Sequence, residues 1–142
     1  MDTLRSMQIT APDNRLYVVV GVIKRNNGEI LIQQRNKGKD CEYQWEFPGG
    51  KLEDNETPEQ ALTRELDEEL NICVTRCEPL MQLGFDYPHA KVWLDVFLVT
   101  DFDGEVSSAE GQVVEWLDIP TIRTRNLLKA VHPILDQLSQ SS

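Results

Sequence analysis

At 142 residues the chain accommodates one compact domain with its own core and is short for two. Its 40% hydrophobic and 27% charged content is ordinary for a soluble globular protein, and a net charge of −10 repels nucleic-acid polymers, so an anionic ligand here needs a bridging cation. The start MDTLRSMQITAPDNR lacks a signal-peptide pattern, and the longest apolar run, YVVVGVI, is far below the roughly 20 residues of a membrane span, so the expectation is a cytoplasmic protein without a membrane partner.

Residues 1–15 and 139–142 read as loose ends of one domain over 1–142. LYVVVGVIK, dense in β-branched residues, is a predicted strand; NNGE is a turn; ILIQQR is a second strand, and the two make a predicted hairpin. The loop NKGKDCEYQ leads to WEFPGG. Thr57 then reads as an N-cap with Pro58 at the first helical position and Gln60 completing a capping box, which predicts a helix over Pro58 to Leu70 that stops at Asn71, a residue tolerant of the left-handed conformation. EPLMQLGFDYP and KVWLDVFLVTDF read as strands, the second apolar enough to be central. After the loop DGEVSSAEGQ, VVEWLDI reads as a short strand and LLKAVHPILDQL as a closing helix that Pro133 interrupts. Elements of both kinds interleave around one sheet, a layered α+β domain. Cys41, Cys73 and Cys77 are odd in number and form no CxxC pair, so reduced, partly buried thiols are expected rather than a disulfide framework or a zinc site.

At about 100° per residue Leu62, Leu66 and Leu70 form one apolar stripe on the predicted helix. Glu65, Glu68 and Glu69 flank that stripe, whereas Arg64 and Asp67 point away from it. Like charges three and four residues apart destabilise a helix by a few tenths of a kcal/mol per pair. A solvated acidic face is one reading, but such a face belongs opposite the leucines. A site for a hard divalent cation, Mg²⁺ or Mn²⁺, is the other; it relieves the repulsion and lets an anionic phosphate chain approach an acidic protein.

From Gly50 the spacing runs Gly, five residues, Glu56, seven residues, then Arg64-Glu65-Leu66-Asp67-Glu68-Glu69-Leu70-Asn71-Ile72. This resembles the Nudix box, GX5EX7REUXEEXGU with U a bulky aliphatic residue, at every fixed position except Asn71, which stands where the family has Gly. WEFPGGKLE, NETPEQAL, FDYP, WLDVFLV and EGQ are similar to the MutT branch of that family, whose members hydrolyse oxidised guanine nucleoside triphosphates. The resemblance covers about Tyr17 to Leu138 and implies the Nudix fold, an α/β/α sandwich around a mixed β-sheet.

The resemblance also implies roles. Glu65, Glu68 and Glu69, the Gly49 carbonyl and, from EGQ, Glu110 correspond to metal ligands, with Glu56 in support and Arg64 orienting the carboxylates. Glu65 is the first candidate for the proton acceptor, with Glu69 chiefly a metal ligand, a division that sequence does not separate. Arg35 corresponds to a phosphate contact; Phe47, Phe85 and Tyr87 are candidates for the base pocket; Trp45, Trp93, His89 and His132 are assigned structural or surface roles. The implied reaction is Mg²⁺-dependent conversion of 8-oxo-dGTP to 8-oxo-dGMP and pyrophosphate, which cleanses the nucleotide pool, by a monomer or weak dimer. One position departs from the branch: its base-reading asparagine is replaced by Val131, which has no amide, and Asn126 is the nearby substitute. Val131 favours a second reading, a pyrophosphohydrolase of CTP, dCTP or methylated pyrimidine triphosphates. A non-catalytic nucleotide-binding module is the third, and the intact box argues against it.

Overall fold

The valine-rich segment Leu16–Ile23 forms strand β1 and is buried on both faces, which is why it reads as a nearly continuous apolar run. Val19 and Ile23 face one core; Val20 and Val22 face another. The computed structural model, which describes residues 9–140, continues with β2 (Ile30–Gln34), β3 (Trp45–Glu46), β4 (Gly49–Lys51), α1 (Pro58–Leu70), β5 (Cys73–Tyr87), β6 (Ala90–Asp103), β7 (Val114–Leu117), α2 (Ile119–Ile122) and α3 (Val131–Gln140). The β structure divides in two. A mixed sheet has the order β4-β1-β6-β5, with β1 and β6 parallel, and a three-stranded antiparallel sheet has the order β3-β2-β7.

The hairpin expected between β1 and β2 is therefore corrected. The turn is present, with Gly28 at φ +87° and the Arg25 amide donating to the Glu29 carbonyl at 2.9 Å, but the pairing stops at the bridge between Lys24 and Ile30. Beyond it β1 pairs with β6 and β4, and β2 with β3 and β7. Each strand thereby gains neighbours on both edges, which a two-stranded ribbon cannot offer.

Helix α1 follows the sequence reading. The Thr57 hydroxyl accepts from the Gln60 amide at 3.2 Å, the Gln60 side chain accepts from the Thr57 amide at 2.9 Å, and Asn71 closes the helix at φ 58°, ψ 36°. Leu62, Leu66 and Leu70 are buried against Val19, Leu31, Phe97 and Val99. Truncating one of these leucines to Ala costs about 2–5 kcal/mol.

Helix α3 covers the opposite core through Val131, Ile134, Leu135 and Leu138. It starts later than expected, and Pro133 sits in its first turn rather than breaking it. Residues 126–128 are diverted because they pair with β3: the Trp45 amide donates to the Asn126 carbonyl at 2.8 Å, and the Leu128 amide to the Trp45 carbonyl at 2.9 Å. Of the expected loose ends, residues 1–8 and 141–142 lie outside the described residues. Arg15 is tied down by Asp86 at 2.7 Å, and Ser139 and Gln140 belong to α3. Cys41, Cys73 and Cys77 are free thiols, Cys73 exposed.

Candidate active site

Between the two sheets runs a cleft of about 370 Å³. One end is apolar, with Phe47, Val131, Leu128 and Ile134; the other carries Gly49, Gly50, Glu46, Glu69 and Arg35. The chain crosses between them at Phe47-Pro48-Gly49, anchored where the Gly21 amide donates to the Pro48 carbonyl at 2.9 Å. Two glycines are required here by close approach. A β-carbon at Gly49 would run into the Val19 carbonyl, and one at Gly50 would occupy the place of the Glu65 carboxyl. The loop before α1 and the helix itself therefore press together, and the helix's acids reach the cleft.

Those acids have unequal surroundings. Glu69 lines the cleft and accepts from the Gly49 amide at 3.2 Å. Burial, with the charges of Glu65, Glu46 and Glu110 adding to it, pushes its carboxyl up to about 8 despite that amide. Glu65 is also raised, first by burial, while the Arg64 guanidinium opposes the shift. Glu68 is exposed.

Arg64 curls back along α1. Its Nε and Nη2 grip the two Glu56 oxygens at 3.0 and 2.7 Å, its Nη1 donates to Glu65 Oε1 at 2.9 Å, and Nη2 also reaches the Lys51 carbonyl at 3.1 Å. Helical spacing alone aims this side chain at solvent; Glu56 and Glu65 turn it inward. The same guanidinium holds the Glu56 carboxyl below its ordinary range.

The loop 107–109 is pinned to the end of α1. The Ala109 amide donates to the Glu69 carbonyl at 2.9 Å, the Ser107 amide to the Leu70 carbonyl at 3.0 Å, and Asn71 Nδ2 to Ser107 Oγ at 2.7 Å. Helix-end carbonyls without partners thus hold the loop, and Glu110 follows it closely enough for its charge to be felt at Glu69.

Of the residues named from sequence, Gly49, Glu69, Arg35, Phe47, Tyr87 and Val131 line the cleft. Arg64, Glu56, Glu65, Glu68 and Glu110 stand around its carboxylate end. Two expectations for the base pocket are corrected. Phe85 lies behind Tyr87, with ring centroids 4.6 Å apart, and packs against the α3 core. Asn126 is exposed and outside the cleft, because its backbone is committed to β3.

Other lining residues were missed, and three of them bear on the site. Glu46 lies in the WEFPGG stretch and pairs with Arg35 at 2.9 Å; burial raises its carboxyl against the pull of that guanidinium. His89, assigned to the surface, is exposed yet stacks on Tyr87 at the rim with centroids 5.4 Å apart. Gln112 is buried in the cleft wall. For Glu46 the alternation of β3 with β2 was the available signal, and for Gln112 its place in EGQ; for His89 nothing local marked it.

The donors gathered at the carboxylate end are all oxygens, which suits a hard divalent cation. The raised Glu69 carboxyl registers burial first and the surrounding carboxylate charges second. Among the described residues no three His, Cys, Asp or Glu side chains stand close enough together to hold a metal ion as they are; Arg64 holds two of the carboxylates, those of Glu56 and Glu65.

The family model described as the NUDIX domain matches residues 15–138. The chain belongs to the Nudix family. This Nudix hydrolase is 45% identical over 97 residues to the 8-oxo-dGTP diphosphatase of Proteus vulgaris, a match covering 68% of this chain and 87% of the relative. It is 33% identical over 132 residues to the CTP pyrophosphohydrolase of Escherichia coli K12, covering 84% and 98%. The fold matches a solved MutT structure from work on Aliivibrio salmonicida and Vibrio cholerae at TM-score 0.80 and 36% identity, covering 90% of this chain and 99% of that one. As a member of a hydrolase family that works with divalent cations, the chain is an enzyme rather than a bare binding module. No helix among the described residues is long and apolar enough to cross a membrane.

Proposed function

We propose that this Nudix hydrolase converts 8-oxo-dGTP and water to 8-oxo-dGMP and pyrophosphate, and so cleanses the nucleotide pool, acting in the cytoplasm as a monomer or weak dimer. One observation carries the reading: one cleft joins an apolar end at Phe47 and Val131 to the Glu46 and Glu69 carboxyls. Similarity to 8-oxo-dGTP diphosphatases supports it.

In this reading Glu65, Glu68, Glu69, Glu110 and the Gly49 carbonyl hold Mg²⁺, with Mn²⁺ as a substitute. The bound cation supplies charge neutralisation at the phosphate oxygens and lowers the pKa of water. Arg64 fixes the Glu65 carboxyl by one oxygen and leaves the other to accept the proton of the attacking water. Glu56 in turn holds Arg64. Arg35 contacts the phosphate chain, and Phe47 and Tyr87 bound the base. A phosphoanhydride P–O bond breaks, water adds to phosphorus, and pyrophosphate leaves.

A second reading has its own observation. Val131, buried in the cleft wall, offers a base no hydrogen bond. Together with the similarity to a CTP pyrophosphohydrolase, this supports action on CTP, dCTP or methylated pyrimidine triphosphates.

Pyrophosphate release with Mg²⁺ from a panel holding 8-oxo-dGTP, dGTP, CTP, dCTP and 5-methyl-dCTP, beside Glu69→Gln, separates the two. Preference for 8-oxo-dGTP that the variant loses supports the first. A pyrimidine preference replaces it with the second, and turnover unchanged in Glu69→Gln contradicts both.

A further inference from the structure

The three-stranded sheet presents a row of polar side chains toward α1. Gln33 stands opposite both Glu46 and Val114 in the ladders, so the three share a face. Leu31 and Val114 on that face pack into the α1 core, whereas Ile30 and Ile32 point to the α3 core. Arg35, two residues beyond Gln33, reaches Glu46 on the same side. The pairing continues past β7, with the Gln34 amide donating to the Val113 carbonyl at 2.9 Å. Exposure alternates along it: Val113 is 52% exposed and Gln112 only 8%. Gln112 therefore joins Glu46 and Arg35 on the face that looks toward Glu69, and all four line the cleft.

Gln112 is more than nine-tenths buried as a residue and makes no side-chain hydrogen bond among the described residues, while the polar atoms sealed from solvent without a partner are Gln33 Oε1 and Ser108 Oγ, so the Gln112 amide keeps an opening. Glu46, the nearest acceptor in the row, is already held by Arg35 and Gln33. The two N–H donors of Gln112 are therefore available to a group that enters the cleft. At the apolar end that group would be a base, but Gln112 shares the strand face of Arg35 and Glu46, opposite the one from which Trp45 and Phe47 enter the α3 core. What reaches the carboxylate end is the phosphate chain.

We propose that the side-chain amide of Gln112 donates a hydrogen bond to the phosphate chain of the substrate, as a neutral binding group beside Arg35. This rests on the nucleotide reading above and adds a contact to it. A neutral donor suits the place. A further cation would compete with the metal for Glu69, and a further acid would repel the phosphates.

The test compares wild type with Gln112→Leu and Gln112→Glu. Kd for magnesium pyrophosphate is measured by calorimetry, KM and kcat across the nucleotide panel, and folding by thermal melting. A hydrogen bond to a charged group is worth about 1.5–3 kcal/mol. Gln112→Leu is therefore expected to raise the pyrophosphate Kd and the triphosphate KM about tenfold or more, Gln112→Glu to raise both further, and the ranking of bases to stay the same. Pyrophosphate Kd within twofold of wild type in both variants overturns the proposal, as does a changed base ranking or an equal loss in both variants that tracks their melting temperatures. If wild type binds pyrophosphate through Gln112 but releases none from any nucleotide, the contact stands and the proposed function fails.

Discussion

Arg64 grips Glu56 with two nitrogens, at 2.7 and 3.0 Å, and with a third holds Glu65 at 2.9 Å. A planar fork is needed to engage both carboxylates at once. Arg64→Lys keeps the charge and loses the fork. The expected outcome is a fall in kcat of about 10–100-fold, with KM little changed and melting within a few degrees of wild type, because the lost bonds aim a reacting carboxylate rather than hold the fold. Unchanged kcat would show that Glu65 needs no such support.

Glu69 makes stability depend on pH. Its carboxyl stands near 8 in the fold against an ordinary value of 4.5. Between those values the folded protein keeps a proton that the unfolded chain releases, so stability is fully present below about 4.5 and is lost as pH rises through 8. In chelator, the melting temperature of wild type should fall from pH 5 to pH 8.5 by several degrees more than that of Glu69→Gln. Glu65 and Glu46 are raised too but remain in both proteins, so the difference isolates Glu69. Added Mg²⁺ should stabilise wild type more at pH 8.5 than at pH 6, since a cation needs the ionised group. Parallel melting curves for the two proteins would sink the assignment.

Asn71 stands where the Nudix box has Gly. Both suit the helix-ending φ of 58°, but only Asn can donate to Ser107. Asn71→Gly should leave melting within about 2 °C and raise the Mg²⁺ concentration for half-maximal activity about 2–5-fold, because the loop before Glu110 loses one tether worth roughly 0.5–1 kcal/mol. The other two tethers are backbone bonds to Glu69 and Leu70 and persist. An unchanged Mg²⁺ requirement would mean those two suffice.

What the sequence made legible was local. Thr57, Gln60 and Asn71 specify α1 through neighbours three and four residues away, and the leucine stripe needs only helical period. The MutT likeness located the carboxylates on the same helix. Long-range pairing was hidden. Nothing in NNGE says that β1 and β2 part into different sheets, and nothing in LLKA says that 126–128 lie along Trp45 and carry Asn126 away from the cleft. Gln112 stood in the EGQ match, but the face it occupies became visible only through the β2 ladder.

Val131 begins α3 with 3% exposure in the cleft wall, directly after Ala130, whose amide donates to the Tyr87 hydroxyl at 3.0 Å. That bond fixes the start of the helix, so a new side chain at 131 enters a held position rather than a loose loop. Asparagine is close to valine in size and brings a donor and an acceptor. Val131→Asn should raise the ratio of kcat/KM for 8-oxo-dGTP over that for dCTP about tenfold, since one matched hydrogen bond is worth about 1.4 kcal/mol. The gain should appear only with Tyr87 intact; in Tyr87→Phe the Ala130 amide loses its acceptor and the asparagine its fixed aim. A ratio unmoved by Val131→Asn would place base recognition elsewhere in the cleft.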